Sequence, residues 1–225
     1  MKKAYITLSL LSFFMFSSSY GQVSAQGVSG GGVLTFYKKN ADKKASTVGS
    51  EYIVEDFASA RVNGGTQTFQ IRFNAFNNVM EYKKDNDNLI LIKNDNTLIE
   101  FTNGPVYELV SYTDKKGKEN KDYLSVINNS GNVAIYKLEK INFIEARSAV
   151  NTYDLGSPAE YKRASDSYFI KVNGVVSELP TKAKGFISLF PSKEAEIKEY
   201  FKQNKINFKD NDDLEKLTIF LNKLA

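Results

Sequence analysis

The sequence predicts an α+β fold that is predominantly antiparallel β, built as a sandwich, half-barrel or strongly curved sheet and closed by a C-terminal helical hairpin. Three observations predict it. Apolar and polar residues alternate with period two through much of 46–180. Turn-forming residues interrupt that pattern roughly every 8–12 positions, the spacing of consecutive hairpins. After Pro180 the apolar period lengthens to that of a helix.

The first segment, 1–21, reads as a secretory signal peptide. Lys2 and Lys3 supply the positive start, "AYITLSLLSFFMF" the apolar stretch, and "SSSYGQ" the small, polar end. The apolar stretch covers 4–16, too short to cross a bilayer core of about 30 Å as a helix. Ser19 and Gly21 suit cleavage after Gly21; cleavage after Ala25, behind "VSA", is the alternative. Residues 22–45 then read as a flexible leader, Gly-rich in "QVSAQGVSGGG", with one short strand, "VLTFYKK".

Strand signals dominate from 46 to 180. Phe69, Ile71 and Phe73 alternate with Gln70, Arg72 and Asn74, so one face of that strand is apolar and the other polar. "NGG" at 63–65 marks the hairpin before it, with both glycines free to take φ > 0. "NVMEYKK" and "NLILIK" flank a turn at "DNDN", and "TLIEFTN" follows "NDN". "GPVYELVSYT" leads through the charged loop "DKKGKEN" into "KDYLSVIN". "NSG" turns the chain into "NVAIYKLEK", and strand-like runs continue through "INFIEA" and "DSYFIKVNG". Successive hairpins make antiparallel pairing the expectation.

The segment 181–225 reads as helical and packed on the β domain. "KAKGFISLF" suggests a short helix, and Pro191 with Ser192 the start and N-cap of a second. Ile197, Tyr200 and Phe201 share one face of it. Asn211, Asp212 and Asp213 open the last helix, in which Leu214, Leu217, Leu221 and Leu224 form a stripe widened by Phe220. A stripe of about three turns does not hold a helix alone in water, so these leucines are expected to pack on Ile197, Phe201 and the sheet.

"IRFNAFNNVMEYK", "KDYLSVINNSGNVAIYKLEK", "DSYFIKVNG" and the terminal "KGFISLFPSKEAEIKEYFKQNKINFKDNDDLEKLTIFLN" together resemble an uncharacterised family of exported, β-rich proteins of Bacteroidota-type bacteria. The resemblance spans most of the chain after the leader. It implies export and overall build, and carries no activity, cofactor or catalytic residue.

Composition narrows the chemistry. The chain has no His and no Cys. That removes Ser-His-Asp and Cys-His catalysis, disulfides, and the usual ligands of zinc, copper and iron–sulfur sites. No residue qualifies as catalytic, cofactor-binding or metal-ligating, and no cofactor is expected. "DNDN" at 85–88 and "DNDD" at 210–213 fail the calcium-loop pattern, because Leu89 and Leu214 stand at its fifth position; they read as a hairpin turn and a helix cap. The net charge is +4, falling to +2 without Lys2 and Lys3, with lysines and acids interspersed. No basic patch suggests nucleic acid, and no transmembrane span is expected after the leader.

Three functions fit. The first is an exported, non-enzymatic envelope or secreted protein with a binding or structural role, its partner another envelope protein, a polysaccharide or a lipid. The second is a carrier of an apolar ligand or lipid in a curved β-sheet cavity. The third is a carboxylate-dependent glycosidase, beside which a Ser–Lys nucleophile also stays open. The 13 Tyr and 16 Phe, with no Trp, either fill the core or offer ring surfaces to a partner. The location expected is extracytoplasmic, periplasmic or secreted.

Overall fold

The computed structural model describes residues 25–29, 32–39, 47–114, 116–150 and 155–225. The segment 1–21, expected to be a signal peptide, lies outside the described residues.

Twelve strands form one sheet in which every pairing between strands is antiparallel. In chain order they are β1 (Ala25–Ser29), β2 (Gly32–Lys38), β3 (Ala58–Val62), β4 (Thr68–Asn74), β5 (Val79–Lys84), β6 (Asp87–Leu91), β7 (Leu98–Phe101), β8 (Val106–Thr113), β9 (Glu119–Asn128), β10 (Val133–Leu138), β13 (Ser167–Val172) and β14 (Val175–Glu178). Between β10 and β13, β11 (Ile141–Ile144) and β12 (Glu160–Arg163) make a separate two-stranded sheet. The spatial order is β1-β2-β6-β5-β4-β3-β7-β8-β9-β10-β13-β14. The segment read as a leader with one strand carries two, and β2 joins the sheet by pairing with β6.

Turn chemistry sets the hairpins. In the β3–β4 turn the positive φ angles fall on Asn63 (53°) and Gly64 (67°), and Gly65 N–H closes the turn onto the Val62 carbonyl at 3.0 Å. The left-handed positions are thus Asn-Gly, not the two glycines, the pair that suits a tight turn of matching twist, although the chain runs on through 65–67 before β4 begins. Asn173 and Gly174 repeat it between β13 and β14, with φ of 51° and 81°. "DNDN" is the β5–β6 turn, with Asp85 at φ 53°.

The sheet is strongly curved, and it curves in two senses. The first core lies on one face of β2 to β9: Leu34, Phe36, Phe69, Ile71, Phe73 and Met80 are among its residues. Tyr107 and Leu109 of β8 and Tyr123 of β9 close it. The next residues along those strands, Val110, Tyr112 and Leu124, point to the opposite face and belong to a second core with Ala134, Tyr136 and Phe169. There β14 curls back until Val176 packs with the side chains of β8. A bulge between Ile135 and Tyr136 of β10 marks where the pairing with β9 shifts, and a bulge increases local twist.

The helices cover the outer face of β10 and β13. They are α1 (Ala183–Leu189), α2 (Glu194–Gln203) and α3 (Asn211–Leu224). A 3₁₀ turn, Pro191–Lys193, precedes α2, and no side chain caps that helix, so Ser192 is not the N-cap its sequence suggests. Asp210 does cap α3, accepting from the Asp213 N–H. Leu214, Leu217 and Leu221 are fully buried against Val133, Ile135, Ile170 and Ile197, with Leu224 and Phe201 packed beside them. Tyr200 and Phe220 stack face to face at 3.9 Å between ring centroids.

One contact stitches α3 to the sheet. Asn222 accepts from the Val133 N–H and donates to the Val133 carbonyl, both at 2.8 Å. The β9–β10 ladder begins only at Ile135. Asn222 therefore stands in for the missing β9 partner at this end of β10, whose other side is paired with β13 through Val133 and Val172. Its side chain lies so near Gly131 that a Cβ there would stand 2.4 Å from Asn222 Oδ1. Among the described residues no helix is long and apolar enough to cross a membrane.

Candidate functional site

The two faces of β4 lead to a buried polar cluster and to a ring-lined cavity. On one face, Arg72 and Asn74 sit opposite Glu81 and Val79 of β5. The irregular segment 50–57 lies over them. Glu81 is fully buried, and its carboxylate accepts from Lys39 Nζ (2.7 Å), Arg72 Nε (3.0 Å) and Nη2 (2.8 Å), Asn74 Nδ2 (3.0 Å) and the Tyr52 hydroxyl (2.9 Å). Glu51 takes further donors from Lys39 (3.2 Å), Asn74 (2.7 Å) and Tyr161 (2.9 Å). Arg72 is held between the Tyr52 and Phe57 rings, 3.8 and 4.3 Å from their centroids, and donates to the Glu55 carbonyl.

Burial works against charge on both carboxyl groups. The hydrogen bonds outweigh it, so Glu51 and Glu81 ionise below the usual carboxylate range. Lys39 follows the same logic: burial opposes its charge, yet the bonds to Glu81 and Tyr52 raise its pKa. The cluster contains two cations and two anions. It pins the segment 50–57 to the sheet.

At the mouth of the first core a cavity of about 220 Å³ opens beside this pin. Phe73 and Tyr107 line it, tilted against each other at 4.7 Å, and Phe101 meets Tyr107 edge-on at 6.0 Å. Ile53, Val54 and Asp56 of the covering segment and Asn103 to Pro105 of the β7–β8 turn also line it. Glu139 borders the rings. It is 8% exposed, accepts from the Tyr107 hydroxyl at 2.8 Å and from Arg163 Nη2 at 3.1 Å, and forms an ion pair with Lys137 Nζ at 3.2 Å. Burial, then the charge and acceptor of Glu139, push the Tyr107 phenol up.

The sequence names no site residue, and the groups that converge here are ones it does not single out: Arg72, Glu81, Tyr107 and Glu139. The alternation of "RFN" and "MEY" was the available signal, since a hairpin places Arg72 and Glu81 directly across from each other. Among the described residues, no group of three or more acidic side chains is arranged to hold a metal ion. Comparisons with protein-family models, with curated proteins and with solved structures find no match to this chain.

Proposed function

We propose that this chain is an exported, non-enzymatic envelope or secreted protein that works by binding another macromolecule, in keeping with the leader and the exported family it resembles. The observation that carries this reading is that the convergent polar side chains are committed to one another, while a ring-lined cavity beside them opens to the surface. Glycoside cleavage needs one carboxyl group that holds a proton near neutral pH. Glu51 and Glu81 share Lys39 and Asn74 as donors, and both are depressed, so neither has that proton to give.

The concave faces of the sheet are occupied by buried Leu, Ile, Phe and Tyr side chains. This favours surface recognition over carriage of a lipid inside the fold. The test is retention of partners from an envelope extract by the immobilised chain lacking residues 1–21, with size-exclusion chromatography of the same material. Reproducible capture of one macromolecule supports the reading. A strict monomer that retains nothing from envelope or medium rejects it.

A further inference from the structure

Resting on that reading, we propose that the cavity at Phe73, Phe101, Tyr107 and Glu139 is an anchor pocket for one aromatic side chain with a hydrogen-bond donor, a Tyr or Trp presented by a partner protein.

Size makes the first argument. An apolar cavity of about 150 Å³ holds a benzene ring, whereas sites for drug-sized ligands run from about 300 Å³ upward. At about 220 Å³ this cavity suits one ring system. The lining makes the second. Three aromatic side chains surround the space, and ring–ring contacts add attraction beyond the apolar area they cover. The third is the polar wall. A carboxylate has about four acceptor positions, and Glu139 accepts from Tyr107 and Arg163 and pairs with the charge of Lys137. Among the described residues Glu139 Oε2 accepts only from the Tyr107 hydroxyl, while Arg163 and Lys137 meet Oε1, so Oε2 has room for a phenol O–H or an indole N–H next to that ring.

The rim argues for a protein as the source of the ring. Val54 is 65% exposed at the mouth, and Asn103 to Pro105 are exposed on the other side. An exposed apolar and polar collar around a buried ring pocket is the layout in which a central aromatic anchor is shielded from water by its neighbours. Arg72, the cation nearest the wall, is already committed to Glu81 and the Glu55 carbonyl, so it does not select for an anion.

The test uses the chain without residues 1–21, labelled for NMR at its aromatic and methyl groups. N-acetyl-tyrosinamide, N-acetyl-leucinamide and p-cresol are titrated separately. The expected result is saturable shifts at Phe73, Phe101 and Tyr107, with the tyrosine amide preferred over the leucine amide by roughly two- to tenfold. Ala58 lines the mouth and is exposed, so Ala58→Phe should abolish those shifts without lowering Tm. If that variant fails to fold, intermolecular NOEs between the tyrosine ring and Phe101 in the unmodified chain serve instead.

Shifts that appear elsewhere, or no preference for the ring, overturn the proposal. So does p-cresol binding more than about a hundredfold more tightly than the capped amide, roughly the effect of leaving the amide's polar groups desolvated and unpaired, because it would mean that the cavity closes over a free small molecule. A captured partner that Ala58→Phe retains undiminished sinks this inference alone. A chain that captures nothing sinks the binding function beneath it.

Discussion

Asn222 offers the sharpest test of how the helices are held. Its carboxamide satisfies both backbone groups of Val133, a residue with no solvent exposure. Asn222→Ala leaves a buried N–H and a buried C=O without that partner, at about 1–3 kcal/mol each. Water entering the vacated space recovers part of this, so the expected loss is about 2–4 kcal/mol, read in urea unfolding. For a chain of this length that corresponds to a fall in Tm of about 5–15 °C. Gly131 supplies the control. Gly131→Ala places its Cβ 2.4 Å from Asn222 Oδ1 and should displace the carboxamide, costing about 1–3 kcal/mol as overpacking does. Once Asn222 is alanine the same change has nothing to displace and should cost under about 0.5 kcal/mol beyond turn preferences. The reasoning fails if Asn222→Ala moves Tm by less than about 2 °C, or if the two substitutions simply add.

The remaining predictions concern buried polar groups. Glu81→Gln should destabilise by about 3–5 kcal/mol at pH 7, since Lys39 and Arg72 lose the anion between them; thermal unfolding reads it directly, and an unchanged Tm would show that the cluster contributes nothing net. Glu51 and Glu81 have folded pKa values depressed below their unfolded ones, so their stabilisation is present above the unfolded value of about 4.3 and is lost as pH falls through the folded values. Stability should therefore drop on acidification below about pH 4, with a shallower drop in Glu81→Gln; equal slopes in the two proteins would refute the assignment. Tyr123 is fully buried, and among the described residues its hydroxyl meets no partner in good hydrogen-bond geometry, the Thr97 side chain being close enough only for a weak interaction. Tyr123→Phe should leave stability unchanged or raise it by up to about 1 kcal/mol, and a loss of more than that in urea titration would mean the hydroxyl is bonded.

Much of the architecture was legible because it rests on local rules. The alternation of Phe69, Ile71 and Phe73 placed their common face on the first core, and the leucines of the last helix found Ile197 and the sheet as their stripe required. Hairpin signals report only which strands are joined by a short turn. They carry no information on the jump from β6 near one edge to β7, which pairs with β3. The double curvature was hidden for a related reason. "VAIYKL" is buried on both faces, so its apolar run has no period from which to infer which side faces which core.

The site was the least legible part. Lys39, Tyr52 and Glu81 are far apart in the chain, and each sits in a stretch whose charged residues read as a solvated face. Only the covering by segment 50–57 turns that face inward. Glu139 lay in "KLEK", indistinguishable by sequence from the many Lys–Glu neighbours on the surface.

The opposite-facing side chains of β8 and β9 have one more consequence. Tyr107 and Tyr123 wall the first core, while Val110 and Leu124, on the same two strands, wall the second. These strands are a partition common to both halves, so neither half can melt without stripping one side of it. The halves are therefore bound into a single cooperative transition, with the slowest amide exchange along β8 and β9. A chain cut between β9 and β10 should not yield two autonomous modules, however cleanly the helices divide from the strands in the sequence.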